Sequence, residues 1–207
     1  MSKPQRSHDR QGSTSKFLTS NRQSASTLSF PPKNVVRCVG IAIFRTQAAR
    51  DVGCLLDLDP SVISWTCLPL VLSRGNRRHV PDFAVTRATG VTLVDAIPDS
   101  GKGTPPQWAS DAAQKLGYGY ETHHEANLRG DVRLDNARDL LQYASFQVSL
   151  GDRLRVLTLL EEHGAMPLSA CLQAVRHIRD AIGVIAALAL RRFIEIELDE
   201  GRIGPDT

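Results

Sequence analysis

The pattern of apolar and polar residues predicts regular elements from Val35 onward. Residues 35–44 are apolar and β-branched, which is typical of a strand or of a strand with a turn. Residues 46–60 instead repeat apolar side chains at helical spacing, and the shared face is formed by Ala48, Val52, Leu55 and Leu56. Thr46 is the predicted N-cap of this helix, and Pro60 ends the segment.

Three β-like runs follow, at 61–72, 80–86 and 90–98. The turn-like, basic segments SRGNRRH and RATG separate them, so the pattern predicts an antiparallel meander of strands. Beyond the meander, the periodicity predicts a helix over 104–116, a strand over 118–125 and a helix over 132–145.

A different pattern begins at Ser149. Three apolar-periodic segments predict helices over 150–164, 167–178 and 180–192. The alternation in FIEIELDEGRIG then predicts a strand pair with a turn at Glu200-Gly201. Three helices followed by a β-ribbon is the order of a winged helix-turn-helix. The sequence therefore predicts two folded domains, residues 35–148 and residues 149–207.

Residues 1–34 have another composition, rich in Ser, Gln, Arg and Thr and poor in large apolar side chains. Such a segment buries too little surface to offset its ordering entropy, so we predict a disordered tail. It carries six Lys or Arg against one acid, a net +5, which leaves a net −2 for the rest of a chain whose total is +3. A basic tail can hold nucleic acid loosely through phosphate contacts, or it can be a solvated leader only.

Composition narrows the class of protein further. No apolar run approaches the length of a membrane span, and no apolar region of a secretory signal follows the basic N-terminus. Four cysteines lie far apart without a CxxC pair, which is typical of buried thiols in a reducing compartment: Cys38, Cys54, Cys67 and Cys171. We predict a cytoplasmic protein with no membrane partner.

Two carboxylates mark the meander, Asp82 in VPDFAV and Asp95 in VTLVDAIP. A hairpin between these runs would bring them together, and Mg²⁺ or Mn²⁺ prefers such oxygen ligands. A metal ion held there would polarise a phosphoryl oxygen and turn a bound water into a nucleophile. The pair is therefore a candidate metal and catalytic site, although an aspartate beside a turn is also common as a plain surface residue.

Five short fragments around these carboxylates occur in a fixed order: TQAARD (46–51), LLDLDP (55–60), VISWTCLP (62–69), HVPDF (79–83) and LVDAIP (93–98). In order and spacing they resemble the helix, turn and three strands of the TnsA-like endonucleases of heteromeric transposases, which belong to the PD-(D/E)xK nuclease group. NARDLLQYA (136–144) and the C-terminal pattern resemble the following helix and the C-terminal domain of that family.

The resemblance covers residues 35–207 and implies an α/β fold. The expected architecture is a restriction-endonuclease-like core, in which helices flank a mixed sheet, followed by a small C-terminal winged helix-turn-helix. The implied partners are DNA near a transposon end, a transposase and an ATPase regulator.

Two of the four chemical positions that the resemblance implies are empty. The aspartate of the family falls on Asp82 and its second metal-side residue on Asp95, so Mg²⁺ is the implied cofactor if the site is active. The helix glutamate of the family falls on Ala49 and its lysine on Ile97, and neither residue can ligate a metal or stabilise charge. We predict a scaffold that has lost cleavage, with an active endonuclease using displaced side chains as the alternative.

Five side chains are candidates for such a displacement: Arg50, Asp51, His79, Arg87 and Lys102. Asp51 lies two residues from Ala49, which turns it to another side of the helix. His79 lies three residues before Asp82, which strict alternation along one strand places on the opposite face. Lys102 lies in a glycine-rich loop that fixes it nowhere. None of the five is predicted to rescue the site.

Other constellations are weaker. His123, His124 and Glu125 have metal-capable side chains, but neighbouring residues of a strand point in opposite directions, so we interpret them as a solvated strand end. No G-x-S-x-G elbow is present to support serine catalysis.

The predicted third C-terminal helix is almost wholly apolar, with Arg176 and Arg179 before it and Arg191 and Arg192 after it. A DNA-reading helix presents polar and basic side chains, so this one is better suited to core packing or to docking a protein. Three functions are left open: a TnsA-like DNA-end-binding or scaffolding subunit, an active metal-dependent endonuclease, and a DNA-binding regulator unrelated to transposition. The sequence is also compatible with a gene product that has lost its function.

Overall fold

The computed structural model describes residues 6–101, 103–176 and 181–207, with side chains described from residue 13 onward. Unit 1 contains the described residues up to 31 and residues 37–129, and unit 2 contains residues 32–36 and 130–207. The predicted boundary between 148 and 149 therefore lies inside unit 2. The reason is that the helix at Val132–Leu141 packs against the helix at Ala181–Leu190.

The centre of unit 1 is a four-stranded mixed sheet of β1 (Val62–Cys67), β4 (Phe83–Arg87), β5 (Gly90–Ile97) and β6 (Gly119–His124), in that order. The pairs β1/β4 and β4/β5 are antiparallel, and β5/β6 is parallel. Two short strands, β2 (Leu72–Arg74) and β3 (Arg77–His79), form a separate antiparallel hairpin between β1 and β4 in the chain. The predicted three-strand meander is thus interrupted by this hairpin.

Helices flank the sheet, so the fold of unit 1 is α/β. α2 (Gln47–Leu58) begins as predicted, because the Thr46 Oγ1 accepts the Ala49 N–H at 3.0 Å. It is joined to the sheet where the Trp65 Nε1 donates to the Asp57 Oδ1 at 2.8 Å. α3 (Ala109–Lys115) packs with Leu93 and Leu72 in an apolar cluster, and α4 (Glu125–Leu128) follows β6 directly.

The N-terminal segment differs from the prediction of disorder. α1 spans Arg6–Ser26 and is held to the rest of unit 1 by arginines. The Arg22 Nε and Nη2 donate to the Leu68 carbonyl oxygen at 3.1 and 2.9 Å, and the Arg78 guanidinium donates to the Ser13 carbonyl and hydroxyl oxygens. Composition describes the segment only on average, and it does not register these individual hydrogen bonds or the burial of Ala25.

The predicted strand at 35–44 is wrong in extent. It is reduced to a single parallel bridge between Cys38 and Trp65, with the Val39 N–H donating to the Trp65 carbonyl oxygen at 2.8 Å. Gly40 then adopts φ 90°, which an extended strand does not contain, and the pairing ends there. The predicted strand at 118–125 is confirmed as β6.

Unit 2 is helical in the part that the structure describes: α5 (Val132–Leu141), α6 (Leu150–His163), α7 (Leu168–Ala174) and α8 (Ala181–Leu190). The apolar α8 buries Val184, Ile185 and Leu188 in a cluster with α6 and α7, in agreement with a core role. The last residues of the predicted helix at 167–178 and the first residue of the predicted helix at 180–192 lie outside the described residues, as does Arg179 between them. None of the helices described in either unit combines the length and apolarity needed to cross a bilayer.

The predicted β-ribbon is wrong, since residues 191–207 contain no strand. The side chain of the buried Asn136 instead bonds three backbone groups of this segment. Its Nδ2 donates to the carbonyl oxygens of Leu198 and Gly201 at 2.9 and 2.8 Å, and its Oδ1 accepts the Ile203 N–H at 3.0 Å. The wing of a winged helix-turn-helix is therefore absent from this segment.

Replacing Asn136 should loosen the C-terminal segment of unit 2. In Asn136→Ala, three backbone groups lose their side-chain partner, and we expect the free energy of unfolding to fall by about 2 kcal/mol. Urea denaturation followed by circular dichroism measures this change, and hydrogen exchange should accelerate at the Ile203 N–H. Asn127→Ala, at an exposed position on α4, is the matched control and should change stability by less than about 0.5 kcal/mol. Equal exchange at Ile203 in both variants would contradict this role.

Candidate carboxylate site

The two predicted carboxylates lie side by side. Phe83 pairs with Val94 in the β4/β5 ladder, so the same register places Asp82 opposite Asp95. The Asp82 N–H donates to the Asp95 Oδ1 at 3.2 Å, and the Ala96 N–H donates to the Asp82 Oδ2 at 3.0 Å. Both side chains are buried, with 6% and 1% of their surface exposed. The antiparallel pairing thus produces the proximity that the sequence predicts.

An arginine bridges the pair. Arg45 lies directly before the N-cap of α2, and its Nε and Nη2 both reach the Asp82 Oδ1 at 2.8 Å. The same Nη2 lies 3.4 Å from the Asp95 Oδ1. One guanidinium therefore compensates the charge of two buried carboxylates, which would otherwise repel each other at short range.

A histidine and a tyrosine complete the surroundings of Asp95. The His79 Nε2 lies 2.7 Å from the Asp95 Oδ2, and the Tyr120 hydroxyl donates to the same oxygen at 2.5 Å. The Oδ2 of Asp95 thus lies between an imidazole nitrogen and a phenolic hydroxyl, while its Oδ1 accepts the Asp82 N–H. Both carboxylate oxygens of Asp95 therefore accept hydrogen bonds from the chain itself.

Burial and charge shift the ionisation of this cluster. Burial raises the pKa of the Asp82 carboxyl, and the negative charge of Asp95 raises it further, while Arg45 and the Ala96 N–H act in the opposite direction. The pKa of the Tyr120 hydroxyl is raised as well, first by burial and then by its hydrogen bond to Asp95. Tyr120 consequently stays a hydrogen-bond donor throughout the ordinary pH range.

The residues present do not fit the magnesium ion that the family resemblance implies. Mg²⁺ needs near-octahedral oxygen ligands at short distance, and here the guanidinium of Arg45 bridges the two oxygens that a shared ion would use. Ala49 is buried on α2 and Ile97 ends β5, and neither side chain has an oxygen to offer. Within the described ranges, no three His, Cys, Asp or Glu side chains are grouped to hold a metal ion.

One displacement candidate reaches the site, against the prediction. His79 contacts Asp95, although alternation along one strand would have placed it on the opposite face. The argument fails because His79 ends β3 while Phe83 begins β4, and β3 pairs with β2 outside the four-stranded sheet. Residues 80–82 between them follow no common strand, so alternation does not carry across.

The other displacement candidates have different roles. Asp51 accepts from the Gln47 Nε2 at 2.7 Å within α2, and the Arg50 guanidinium lies over the Phe44 ring at 5.0 Å. Arg87 pairs with Asp59 at the far end of β4 from Asp82. Lys102 lies outside the described residues.

The predicted strand-end group does not form a site. His123 is half-buried, its Nε2 lies 3.9 Å from Glu121, and burial lowers the pKa of its imidazole. His124 is exposed, as a strand end predicts. Glu125 accepts the Asp99 N–H at 2.8 Å.

Sequence reasoning missed Arg45 and Tyr120. No motif marks Arg45, because it lies in an irregular segment 37 residues before Asp82. The pattern identified Tyr120 only as a strand residue. Its hydrogen bond to Asp95 depends on the parallel pairing of β5 with β6, in which Leu93 lies opposite Tyr120.

Comparison with protein-family models gives no match for this chain, and comparison with curated proteins gives no significant match either. The resemblance to TnsA-like endonucleases therefore rests on the sequence fragments quoted above.

Removing the bridging arginine should produce a pH-dependent loss of stability. In Arg45→Met, the pKa of Asp82 rises further because its main compensating cation is gone. A carboxyl whose folded pKa lies above its unfolded value favours folding as pH falls and opposes folding as pH rises through the folded pKa. We expect a loss of about 3 kcal/mol at neutral to basic pH and a smaller loss in acid. Urea denaturation followed by tryptophan fluorescence reports unit 1, because both tryptophans lie there.

Arg87→Met is the matched control for this variant, because Arg87 pairs across 3.5 Å with the more exposed Asp59. Its loss should stay below about 1 kcal/mol. Adding Asp82→Asn to Arg45→Met should recover part of the lost stability, because one of the two facing charges is removed. A loss in Arg45→Met that is equal at all pH values would contradict the assigned role.

Proposed function

We propose that this protein is a TnsA-like DNA-binding subunit that keeps a nuclease fold, does not cleave DNA itself, and acts beside a transposase or an ATPase regulator. The observation that carries the proposal is the bridging of Asp82 and Asp95 by Arg45. A chain that supplies its own cation to this pair has turned a metal-binding arrangement into a structural ion pair.

The order of elements supports the nuclease fold in this proposal. The family resemblance implies a helix, a turn and then three strands, of which the second contains the aspartate and the third carries the second carboxylate near its end. The corresponding elements are α2, β1, β4 and β5, and Asp82 and Asp95 lie on or beside the last two. A mixed sheet flanked by helices is also what the resemblance implies.

The chemistry of the remaining side chains supports the absence of cleavage. Hydrolysis of a phosphodiester needs a group that activates water and a cation that stabilises the developing charge. Arg45 cannot act as a base, because a guanidinium is not deprotonated in proteins. Its charge is directed to Asp82 and Asp95 and is therefore not directed to a phosphate. Ile97 offers no cation where the family has lysine.

A plasmid assay tests the proposal directly. The wild-type protein should bind duplex DNA at low salt in fluorescence anisotropy and should leave supercoiled plasmid intact with Mg²⁺ or Mn²⁺. Metal-dependent nicking that Asp82→Ala abolishes would instead establish an active endonuclease. Preference for a transposon terminal repeat over an unrelated duplex of the same length supports the transposition role, whereas preference for a promoter would favour a regulator.

A gain-of-function series tests why the site is inactive. Ala49→Glu with Ile97→Lys restores the two missing side chains but leaves Arg45 between the carboxylates, so we expect no Mn²⁺ binding by calorimetry. Adding Arg45→Ala removes the guanidinium that lies between Asp82 and Asp95, and this triple variant should show measurable Mn²⁺ binding. Equal Mn²⁺ binding by the double and triple variants would show that Arg45 does not block the site.

A further inference from the structure

The β2–β3 hairpin presents two arginines at its tip. The register pairs Leu72 with His79, Ser73 with Arg78 and Arg74 with Arg77. Gly75 and Asn76 form the connecting turn, and Gly75 adopts φ 62°, a left-handed conformation that suits glycine. Arg74 and Arg77 therefore stand directly opposite each other at the end of the ribbon, and both are exposed.

This arrangement is unfavourable for the isolated protein. Like charges directly opposite each other on an antiparallel pair destabilise it. Within the described part of the chain, no ion pair involves Arg74 or Arg77. Asp111 of α3 lines the same cavity of about 310 Å³ as Arg74, but Lys115 lines it too and offsets that charge. The tip is thus a concentration of positive charge that the fold itself does not neutralise.

The base of the hairpin is firmly fixed. Leu72 is fully buried in the apolar cluster that contains Leu93, and His79 contacts Asp95. Arg78 points to the other side of the ribbon, where it donates to Ser13 of α1 and lies over the Phe17 ring at 5.7 Å. Two exposed charges are therefore held on a ribbon whose anchoring residues are engaged elsewhere.

We propose that the β2–β3 hairpin is a DNA-contacting element in which Arg74 and Arg77 bind backbone phosphates of a duplex. A two-stranded β-ribbon fits the major groove of B-DNA, and a pair of arginines across its tip can reach phosphates on either side. This inference rests on the proposed function, because it identifies the surface through which the subunit would hold DNA.

The composition of the tip favours DNA over an acidic protein. Residues 73–77 are Ser, Arg, Gly, Asn and Arg, without an apolar side chain. The buried centre of a protein–protein interface is enriched in aromatic and apolar groups, whereas phosphate contacts use arginine, serine, asparagine and backbone N–H groups. The tip contains only groups of the kind that contact phosphates.

The test compares two double variants of the full chain that lose the same charge. Arg74→Gln with Arg77→Gln removes the tip charges. Arg129→Gln with Arg202→Gln removes two exposed arginines that pair with acids elsewhere, Arg129 with Asp99 and Arg202 with Asp135. Anisotropy with a labelled duplex of about 25 base pairs over a range of salt concentrations measures both affinity and the number of phosphate contacts.

We expect the tip variant to bind the duplex about tenfold more weakly, with a slope of log K against log salt about 1.8 units shallower, about 0.9 for each lost phosphate contact. The control variant should keep the wild-type slope. The melting temperature of the tip variant should equal or exceed that of the wild type, because the repulsion between the two arginines is relieved.

Wild-type affinity and slope in the tip variant would overturn the inference while leaving the proposed function intact. An equal loss in both variants would also overturn it, because the effect would then reflect net charge alone. No binding of the wild type to any duplex at low salt would overturn both proposals. A loss of binding to poly-glutamate as large as the loss for DNA would overturn it in favour of an acidic protein partner.

Discussion

The ion pair of Arg45 with Asp82 and Asp95 is the interaction on which the chemistry of unit 1 depends. Two carboxylates are brought together by strand pairing and buried, and they need a cation to coexist. A metal-dependent nuclease takes that cation from solution, and the ion then acts on substrate. Here the cation is a side chain, and its hydrogen bonds are directed inward. The ion pair therefore links the residue that precedes the N-cap of α2 to the two central strands of the sheet.

The same cluster also connects the sheet to the protein surface. His79 is the last residue of the β2–β3 hairpin, and its contact with Asp95 joins the base of that hairpin to β5. The position and orientation of the hairpin tip therefore depend on the contact between His79 and the buried Asp95. The proposed DNA-binding role is compatible with such a structure, because holding a duplex requires fixed positive charges and no reactive group.

Local patterns predicted the elements whose stability is local or strongly periodic. The N-cap at Thr46, the start of α2 and the strand β6 follow from capping chemistry and periodicity. The predictions failed where distant groups supply the hydrogen bonds. Residues 193–204 alternate like a strand, but three of their backbone groups bond the Asn136 side chain. The helix α1 is joined to the rest of unit 1 by hydrogen bonds from Arg22 and Arg78.

The sequence by itself determined that Asp82 and Asp95 would meet, because two short runs joined by a tight turn have few ways to pair. It also determined that Ala49 and Ile97 could contribute no ligand, because that is a property of the side chains. Only the tertiary structure decided what occupies the space between the carboxylates. Arg45 and Tyr120 reach Asp95 from 50 and 25 residues away, and such contacts depend on the packing of whole elements, which no local pattern encodes.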